Sequence, residues 1–335
     1  MEEKGGFIRF LDPGRDLRQM ADLLEEAFGD DLTEEGKHSI RELRSLGRLG
    51  PLAWMLFLVD PEMYEGVRGL VWDEGGQVVG NVSIYPVAPD RWQISNMAVA
   101  PSHRRKGIGR KLMKAALIRI CEEGGRWAIL QVREDNAAAI SLYKSLGFEE
   151  IGAIREMELM KPAVPGGARP WSGEIKPFNP SWWSEEYELA EASVPSGLRW
   201  LHQLKEADFR PWSTRPLLNR LAYLIQGYKL HHMAAFKDNK MVASAALWQK
   251  LFGGTHRLQF LVHPSVRGEV EGALVEAVTS PLRKPFRGRA FTRIPVGYKA
   301  LAEALEQVGF RTKRVLVQMR LDIEKMNKEV LADDE

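Results

Sequence analysis

Two stretches of this chain set residue types at spacings that could do chemistry. In Val99-Ala-Pro-Ser-His-Arg-Arg-Lys-Gly-Ile-Gly109 the end of an apolar strand runs into a Gly-rich turn and then into a helical pattern. Arg104, Arg105, Lys106 and Arg110 supply cationic donors. Gly107 and Gly109 remove side chains where backbone must approach a ligand, and a helix starting at Ile108 aims unpaired N–H groups at the same point. That combination suits a pyrophosphate. A nucleoside-triphosphate P-loop needs four residues between its glycines and then Lys-Ser/Thr, whereas here one residue separates them and Arg110-Lys111 follow. A dinucleotide fingerprint needs a third glycine where Leu112 stands and an acidic residue near Leu130 and Gln131, so that reading fails as well.

The second stretch is Glu134-Asp-Asn-Ala-Ala-Ala-Ile-Ser-Leu-Tyr143-Lys-Ser-Leu-Gly-Phe148. Asn136 opens a short helix, Tyr143 lies two turns along it, and Gly147-Phe148 ends it and starts a strand. Arg104, Gly107 and Gly109, following a strand over Trp92 to Val99, meet the pattern Arg/Gln-x-x-Gly-x-Gly/Ala. This resembles the coenzyme A loop of the GNAT superfamily of N-acetyltransferases, and Asn136, Tyr143 and Gly-Phe resemble its second signature.

The resemblance, which covers about residues 6 to 160, implies acetyl-CoA as co-substrate. The loop residues Arg104, Arg105, Lys106, Gly107, Ile108, Gly109 and Arg110, with Asn136 and Tyr143, would hold it. Backbone groups of Met97, Ala98 and Val99 would pair with the pantetheine arm, one N–H polarising the thioester carbonyl. Tyr143 would protonate the departing thiolate. Many relatives carry a Glu on the strand before the loop, where Ser95 and Asn96 stand here. Water relayed through either residue, or a carboxylate such as Glu134 or Asp135, would take the amine's proton, and Asp135 could equally cap the helix begun at Asn136.

The elements must position these groups. In a 335-residue chain with 44% apolar and 27% charged residues, two domains are expected, each with its own core. No apolar run approaches the ~20 residues of a membrane helix. The polar Met-Glu-Glu-Lys-Gly-Gly start predicts a cytoplasmic protein rather than an exported one. A net charge of +2 demands neither nucleic acid nor membrane, and the compact basic knot tied to glycines suits a single polyphosphate ligand better. The lone Cys121 is expected to pack in the core.

Along the first half, apolar spacing predicts strands at Phe7 to Leu11, Val67 to Asp73, Gln77 to Val87, Trp92 to Val99, Ala128 to Val132, and Phe148 with Glu156 to Met160. Helices are predicted over Asp16 to Phe28, Thr33 to Leu46 and Gly107 to Glu123, and after Asn136. The Pro- and Gly-rich stretch 161–173 reads as a linker. Beyond it the sequence looks like a worn copy: Val262 to Gly272 aligns with Val99 to Gly109, and Leu305 to Phe310 with Tyr143 to Phe148. The expected architecture is therefore α/β (α+β), two tandem GNAT-like domains over 1–160 and 174–335, each a mixed, mostly antiparallel sheet flanked by helices.

In the copy, Val270, Glu269 and Glu271 replace Gly107, Lys106 and Ile108, while Tyr298 and Leu305 replace Asn136 and Tyr143. Carboxylates in that turn would repel phosphate, so acetyl-CoA is expected only in the first domain. His231-His232 lacks a third ligand at metal spacing and reads as a surface or interdomain pair, so no metal is expected. Trp182-Trp183, Trp200 and Trp212 read as core or interface packing, with a substrate cage as the other reading. The chain is thus expected to be an N-acetyltransferase acting on a primary amine of a small molecule or peptide. A non-catalytic acyl-CoA-binding or regulatory module is the alternative. A monomer is favoured, because two fused copies could supply each other's interface.

Overall fold

A computed structural model describes residues 5–29, 34–54, 68–163, 171–201, 204–213, 215–252, 254–283 and 288–326. Val67, Thr33 and the middle of the expected linker, 164–170, lie outside these. Two compact units are formed, one by residues 1–131, 136–150 and 319–335, the other by 132–135 and 151–318.

In the first unit, strands β1 (Phe7–Phe10), β2 (Gly69–Glu74), β3 (Gln77–Ala88), β4 (Arg91–Val99) and β5 (Trp127–Arg133, of which 127–131 belong here) lie side by side in that order. The pairing is antiparallel up to β4, and β4 runs parallel to β5. The chain's last strand contributes residues 319–322, and the Ile323 N–H that follows donates to the Arg126 carbonyl at 2.8 Å. Helix α1 (Pro13–Phe28) begins at Asp12, whose side chain accepts from the Gly14 N–H, with Pro13 pre-set at the first helical position. Its Leu17, Met20 and Leu24 pack with Val71 and Ala98. A buried charge cluster fixes its orientation: Arg9 donates to Asp16 at 2.5 and 2.9 Å and to Asp73 at 2.9 Å. Helix α2 (Glu34–Leu46) follows, then α3 (Ile108–Glu122) and α4 (Ala137–Ser145).

Cys121 corrects an expectation: it is exposed. The buried stripe of α3 is centred on Leu112, Met113, Ala116, Leu117 and Ile120, and at 100° per residue Cys121 falls past its edge.

The second unit orders its strands β6-β11-β10-β9-β8-β7, with β6 (Glu149–Leu159, of which 151–159 belong here), β7 (Glu174–Pro177), β8 (Tyr228–Lys237), β9 (Lys240–Lys250), β10 (Thr255–Val262) and β11 (Arg289–Pro295). The two expected strand pieces after Gly147 are thus one strand. The β8–β9 hairpin turns through Asp238 and Asn239, both at positive φ as a type I′ turn needs. β10 and β11 are parallel, their crossover containing the helix over Glu271–Thr279, and β6 is antiparallel to β11. Buried Glu156 is held there by Arg293 at 2.7 Å and Arg314 at 2.6 Å. Helices α5 (Trp183–Ser193), α6 (Ser196–Leu201), α7 (Glu206–Phe209), α8 (Pro216–Ile225), α9 (Glu271–Thr279) and α10 (Lys299–Gln307) complete the unit, and strand β12 (Arg311–Asp322) gives it residues 311–318. Its core joins Met157 and Leu159 to Leu274, Val278, Leu305 and Phe310. Among the described residues no helix is long and apolar enough to cross a membrane.

Candidate active site

After Val99 the chain makes a single 3-10 turn, Pro101–His103, and then passes through Arg105 at φ +63° and Gly107 at φ +79° into α3. A Cβ at Gly107 would meet nothing within 4 Å, so the glycine is required by its backbone angle rather than by crowding. No side chain caps α3 and its first turn carries no acidic residue. The first intrahelical bond runs from Lys111 N–H to the Gly107 carbonyl at 3.1 Å, which leaves the N–H groups of Ile108, Gly109 and Arg110 without intrahelical acceptors. Arg104, Arg105 and Lys106 are exposed around this end, with Arg104 Nε donating to the Val99 carbonyl at 3.2 Å. The result is an open, uncapped, positively polarised helix end, a site for an anion.

Helix α4 adjoins it. Arg110 Nη2 donates to Ser145 Oγ at 2.6 Å, and a Cβ at Gly109 would lie 3.2 Å from Met97 Cε and 3.7 Å from Leu142 Cδ2. Only a bare backbone fits between these two side chains without displacement. Asn136 is the N-cap of α4, its Oδ1 accepting from Ala139 N–H at 3.1 Å. Tyr143, the residue after Leu142, is buried with its ring tilted against Phe148 at 5.9 Å between centroids. Burial pushes its phenol up to about 12, so the proton stays on Oη at neutral pH.

Strand β4 is bulged where it approaches the loop. Ser83 faces Ser95 but Asn81 faces Ala98, so β4 spends one extra residue there, and Asn96 takes φ +50° to accommodate it. Registered pairing with β5 ends at Ile94 opposite Leu130, while β4 continues to Val99. Asn96 Nδ2 donates to Ser83 Oγ at 3.2 Å, and its carbonyl accepts from Asn81 Nδ2 at 3.0 Å. Both Asn81 and Ser83 are fully buried, and Asn81 Oδ1 has no hydrogen-bond partner among the described residues. Tyr85, next but one along the same face, has its phenol pushed up by burial and partly drawn back by a hydrogen bond with Ser95. Sequence reasoning named Ser95 and Asn96 and missed Asn81, Ser83 and Tyr85. Their signal was present: three polar residues at every second position of an otherwise apolar strand.

The proposed carboxylate bases fare differently. Asp135 accepts from Arg133 at 2.8 and 2.5 Å, which holds its carboxyl below the usual range and makes it a poor base. Asn136, not Asp135, caps α4. Among the described residues no group of three His, Cys, Asp or Glu could hold a metal.

The equivalent turn of the second repeat is filled by its own side chain. Gly268 N–H donates to both carboxylate oxygens of Glu271, at 3.0 and 2.8 Å. Arg267, the counterpart of Arg104, stacks over Tyr298 at 4.0 Å and donates to its hydroxyl at 2.6 Å and to the Ser193 carbonyl at 2.8 Å. Leu305, at the place of Tyr143, is fully buried.

Comparison with known proteins agrees with this geometry. The model of the Acetyltransferase (GNAT) family matches residues 18–148. A [Ribosomal protein bS18]-alanine N-acetyltransferase of Escherichia coli is 41% identical over 68 residues, 20% of this chain and 46% of that protein. An N-alpha-acetyltransferase of Mycobacterium tuberculosis is 34% identical over 109 residues, 31% of this chain and 64% of the relative. The chain therefore spans about half to two thirds of the curated relatives it matches. In fold, it resembles a GCN5-related N-acetyltransferase from Sphaerobacter thermophilus at TM-score 0.60 and 15% identity, covering 95% of this chain and 96% of the other. A tandem GNAT protein from the clavulanic acid biosynthesis pathway gives 0.52 and 15%, over 95% and 99%. The loop, the bulged strand and the Asn136–Tyr143 helix all lie inside residues 18–148, the part of this chain that the Acetyltransferase (GNAT) family model matches.

Proposed function

We propose that the chain is an acetyl-CoA-dependent N-acetyltransferase whose first domain binds the co-substrate and whose acceptor is a primary amine of a small molecule or peptide. The observation that carries the reading is the contrast between two turns: the one leading into α3 is open, uncapped and ringed by Arg104, Arg105 and Lys106, while in the one leading into α9 the Gly268 N–H already holds the Glu271 carboxylate. The residues present fit a diphosphate, because donors converge there and Gly107 leaves the approach free.

Bound acetyl-CoA supplies an acyl carbon activated as a thioester. The Met97 to Val99 backbone, beyond the last registered pair with β5, offers N–H and C=O groups to an extended arm and one donor to the thioester carbonyl. Attack by a neutral amine forms the C–N bond as the C–S bond breaks. Tyr143 gives its Oη proton to the departing sulfur, and because burial disfavours a phenolate, that proton is replaced by the one the nitrogen sheds. The row Asn81, Ser83, Tyr85, Ser95 and Asn96 holds no carboxylate and Asp135 is held by Arg133, which favours a relay through water and hydroxyls and leaves Glu134 as the other carboxylate to test. The relatives named for alanine and N-alpha acetylation support a peptide α-amine as the first acceptor to try.

The test is thiol release from acetyl-CoA in the presence of short peptides with free N-termini and of simple amines. Acceptor-dependent release that is lost in Tyr143→Phe supports the proposal. Tight acetyl-CoA binding with no release for any amine would make the chain a binding module instead.

A further inference from the structure

The second unit contains a cavity of about 360 Å³, within the size range of small-molecule sites. Phe178, Phe209, Tyr223 and Trp248 contribute aromatic walls, and Glu186, Asp208, His232 and Ser244 contribute polar groups. It lies entirely within residues 177–261 and is separate from the loop and Tyr143.

The polar floor has a defined arrangement. His232 Nε2 lies 2.8 Å from Glu186 Oε1 and 2.9 Å from Ser244 Oγ, the Ser244 hydroxyl also donates to Glu186 Oε1, and Phe178 stacks on the imidazole at 3.8 Å. His232 is therefore the wall of a cavity within one unit rather than a surface or interdomain residue. The cluster is not a nucleophilic relay: serine and carboxylate share the same ring nitrogen, whereas a relay needs them on opposite nitrogens. Binding is the chemistry left to it.

The charge balance says what it binds. Both bonds to Glu186 fall on Oε1, so Oε2 has no hydrogen-bond partner among the described residues although the side chain is only 13% exposed. No Arg or Lys pairs with Glu186 among those residues. Asp208 also lines the cavity and has no ion pair among the described residues; Arg210, the one Arg or Lys in the lining, is held by Glu206 at 3.2 Å and over the face of Trp183, so it pairs with neither Asp208 nor Glu186. A largely buried carboxylate with a free oxygen, set among aromatic faces, favours a cation carried on an apolar body.

The position is meaningful within the repeat. Ser244 faces Leu261 in the β9–β10 register, as Asn81 faces Ala98 in β3–β4, so the cavity lies on the strand face that carries the Asn81, Ser83 and Tyr85 row in the first unit. We propose that this cavity binds a small organic ammonium on an aromatic or apolar body. The proposal rests on the cavity alone and not on the acetyl-transfer reading.

The experiment titrates the full chain with 2-phenylethylamine, its neutral isostere 2-phenylethanol and the anionic 3-phenylpropanoate, by calorimetry and by Trp fluorescence. The amine is expected to bind at least about 10-fold more tightly than the alcohol, the scale of one charge-assisted hydrogen bond, and the carboxylate more weakly than either. Glu186→Gln should reduce the amine to the level of the alcohol, and because Glu186 lines only this cavity of the second unit, that loss separates it from an acceptor site in the first. Equal or tighter binding of the alcohol or the carboxylate, no binding of the amine, or amine affinity unchanged in Glu186→Gln would each overturn the proposal. Should Glu186→Gln lose its cooperative melt, the ranking of the three probes on the unmodified chain decides.

Discussion

The backbone N–H of Gly268 donates to both carboxylate oxygens of Glu271, so the second repeat carries its own anion in the turn where the first repeat leaves helix N–H groups unpaired. The acidic residue at the place of Ile108, with Glu269 and Val270 beside it in the same turn, makes the difference. On the proposed reading, a single acetyl-CoA site per chain is expected. Calorimetry should give one site, weakened about 10- to 100-fold by Arg104→Ala, the range of a charge-assisted bond to phosphate. A two-site isotherm, or affinity untouched by the substitution, contradicts it.

Tyr143 should matter to turnover rather than to co-substrate affinity. Tyr143→Phe keeps the ring against Phe148 and removes only the proton, so kcat is expected to fall about 100-fold with KM for acetyl-CoA little changed. Because burial raises the phenol's pKa to about 12, its protonated form persists through the alkaline range. The pH–rate profile should therefore show no loss of activity from this group between neutrality and pH ~10, the ordinary phenol value. A falling limb there that vanishes in Tyr143→Phe would refute the raised pKa, and an unchanged kcat in that variant would refute the general-acid assignment.

Asn136 closes the N-terminus of α4 through a bond to Ala139 N–H at 3.1 Å. Asn136→Ala should cost about 1 kcal/mol of stability, and Asn136→Asp, which keeps the acceptor, much less. Urea unfolding of the two variants measures this, and equal midpoints would show that the cap does not stabilise.

The Arg9, Asp16 and Asp73 cluster should dominate the first unit's response to substitution and acid. Asp16 is fully buried, so Asp16→Ala leaves Arg9 short of a partner and is expected to cost about 3–5 kcal/mol in urea unfolding. Burial alone would raise the pKa of Asp73, but hydrogen bonds from Arg9 and from Gly76 N–H, with the charges of Arg9 and Arg15, outweigh it and leave the group below its ordinary value. Its stabilisation is thus complete above the unfolded-state value of about 4 and is lost as pH falls through the depressed folded one. Removing the carboxylate by Asp73→Asn should flatten the acid limb of stability against pH. An unchanged acid limb would contradict the linkage.

Local signals were enough for the strands β1 to β5, for α1, α3 and α4, and for the loop between β4 and α3, whereas β6 was expected in two pieces and β7, β10, β11 and β12 were not read. Hydrophobic period, a capping Asp12 and Asn136, and Gly107 at the start of α3 are set by neighbours within a few residues. The same holds for the lost anion site, since Glu269, Val270 and Glu271 stand in the turn itself. Where an expectation failed, the cause was geometric: Cys121 lay one step past the buried stripe, which periodicity places only to within about a residue at a helix end.

Sequence by itself determined which residues form the phosphate-type turn and the Tyr143 helix, because both are short continuous segments whose backbone angles and caps are chosen by their own residue types. Only tertiary structure decided that β4 bulges at Asn96, that Leu142 meets the first turn of α3, and that Glu186, His232 and Ser244 share one cavity. The physical reason is distance along the chain. Glu186 and His232 are 46 residues apart, and no local angle or propensity couples them until strands and helices pack.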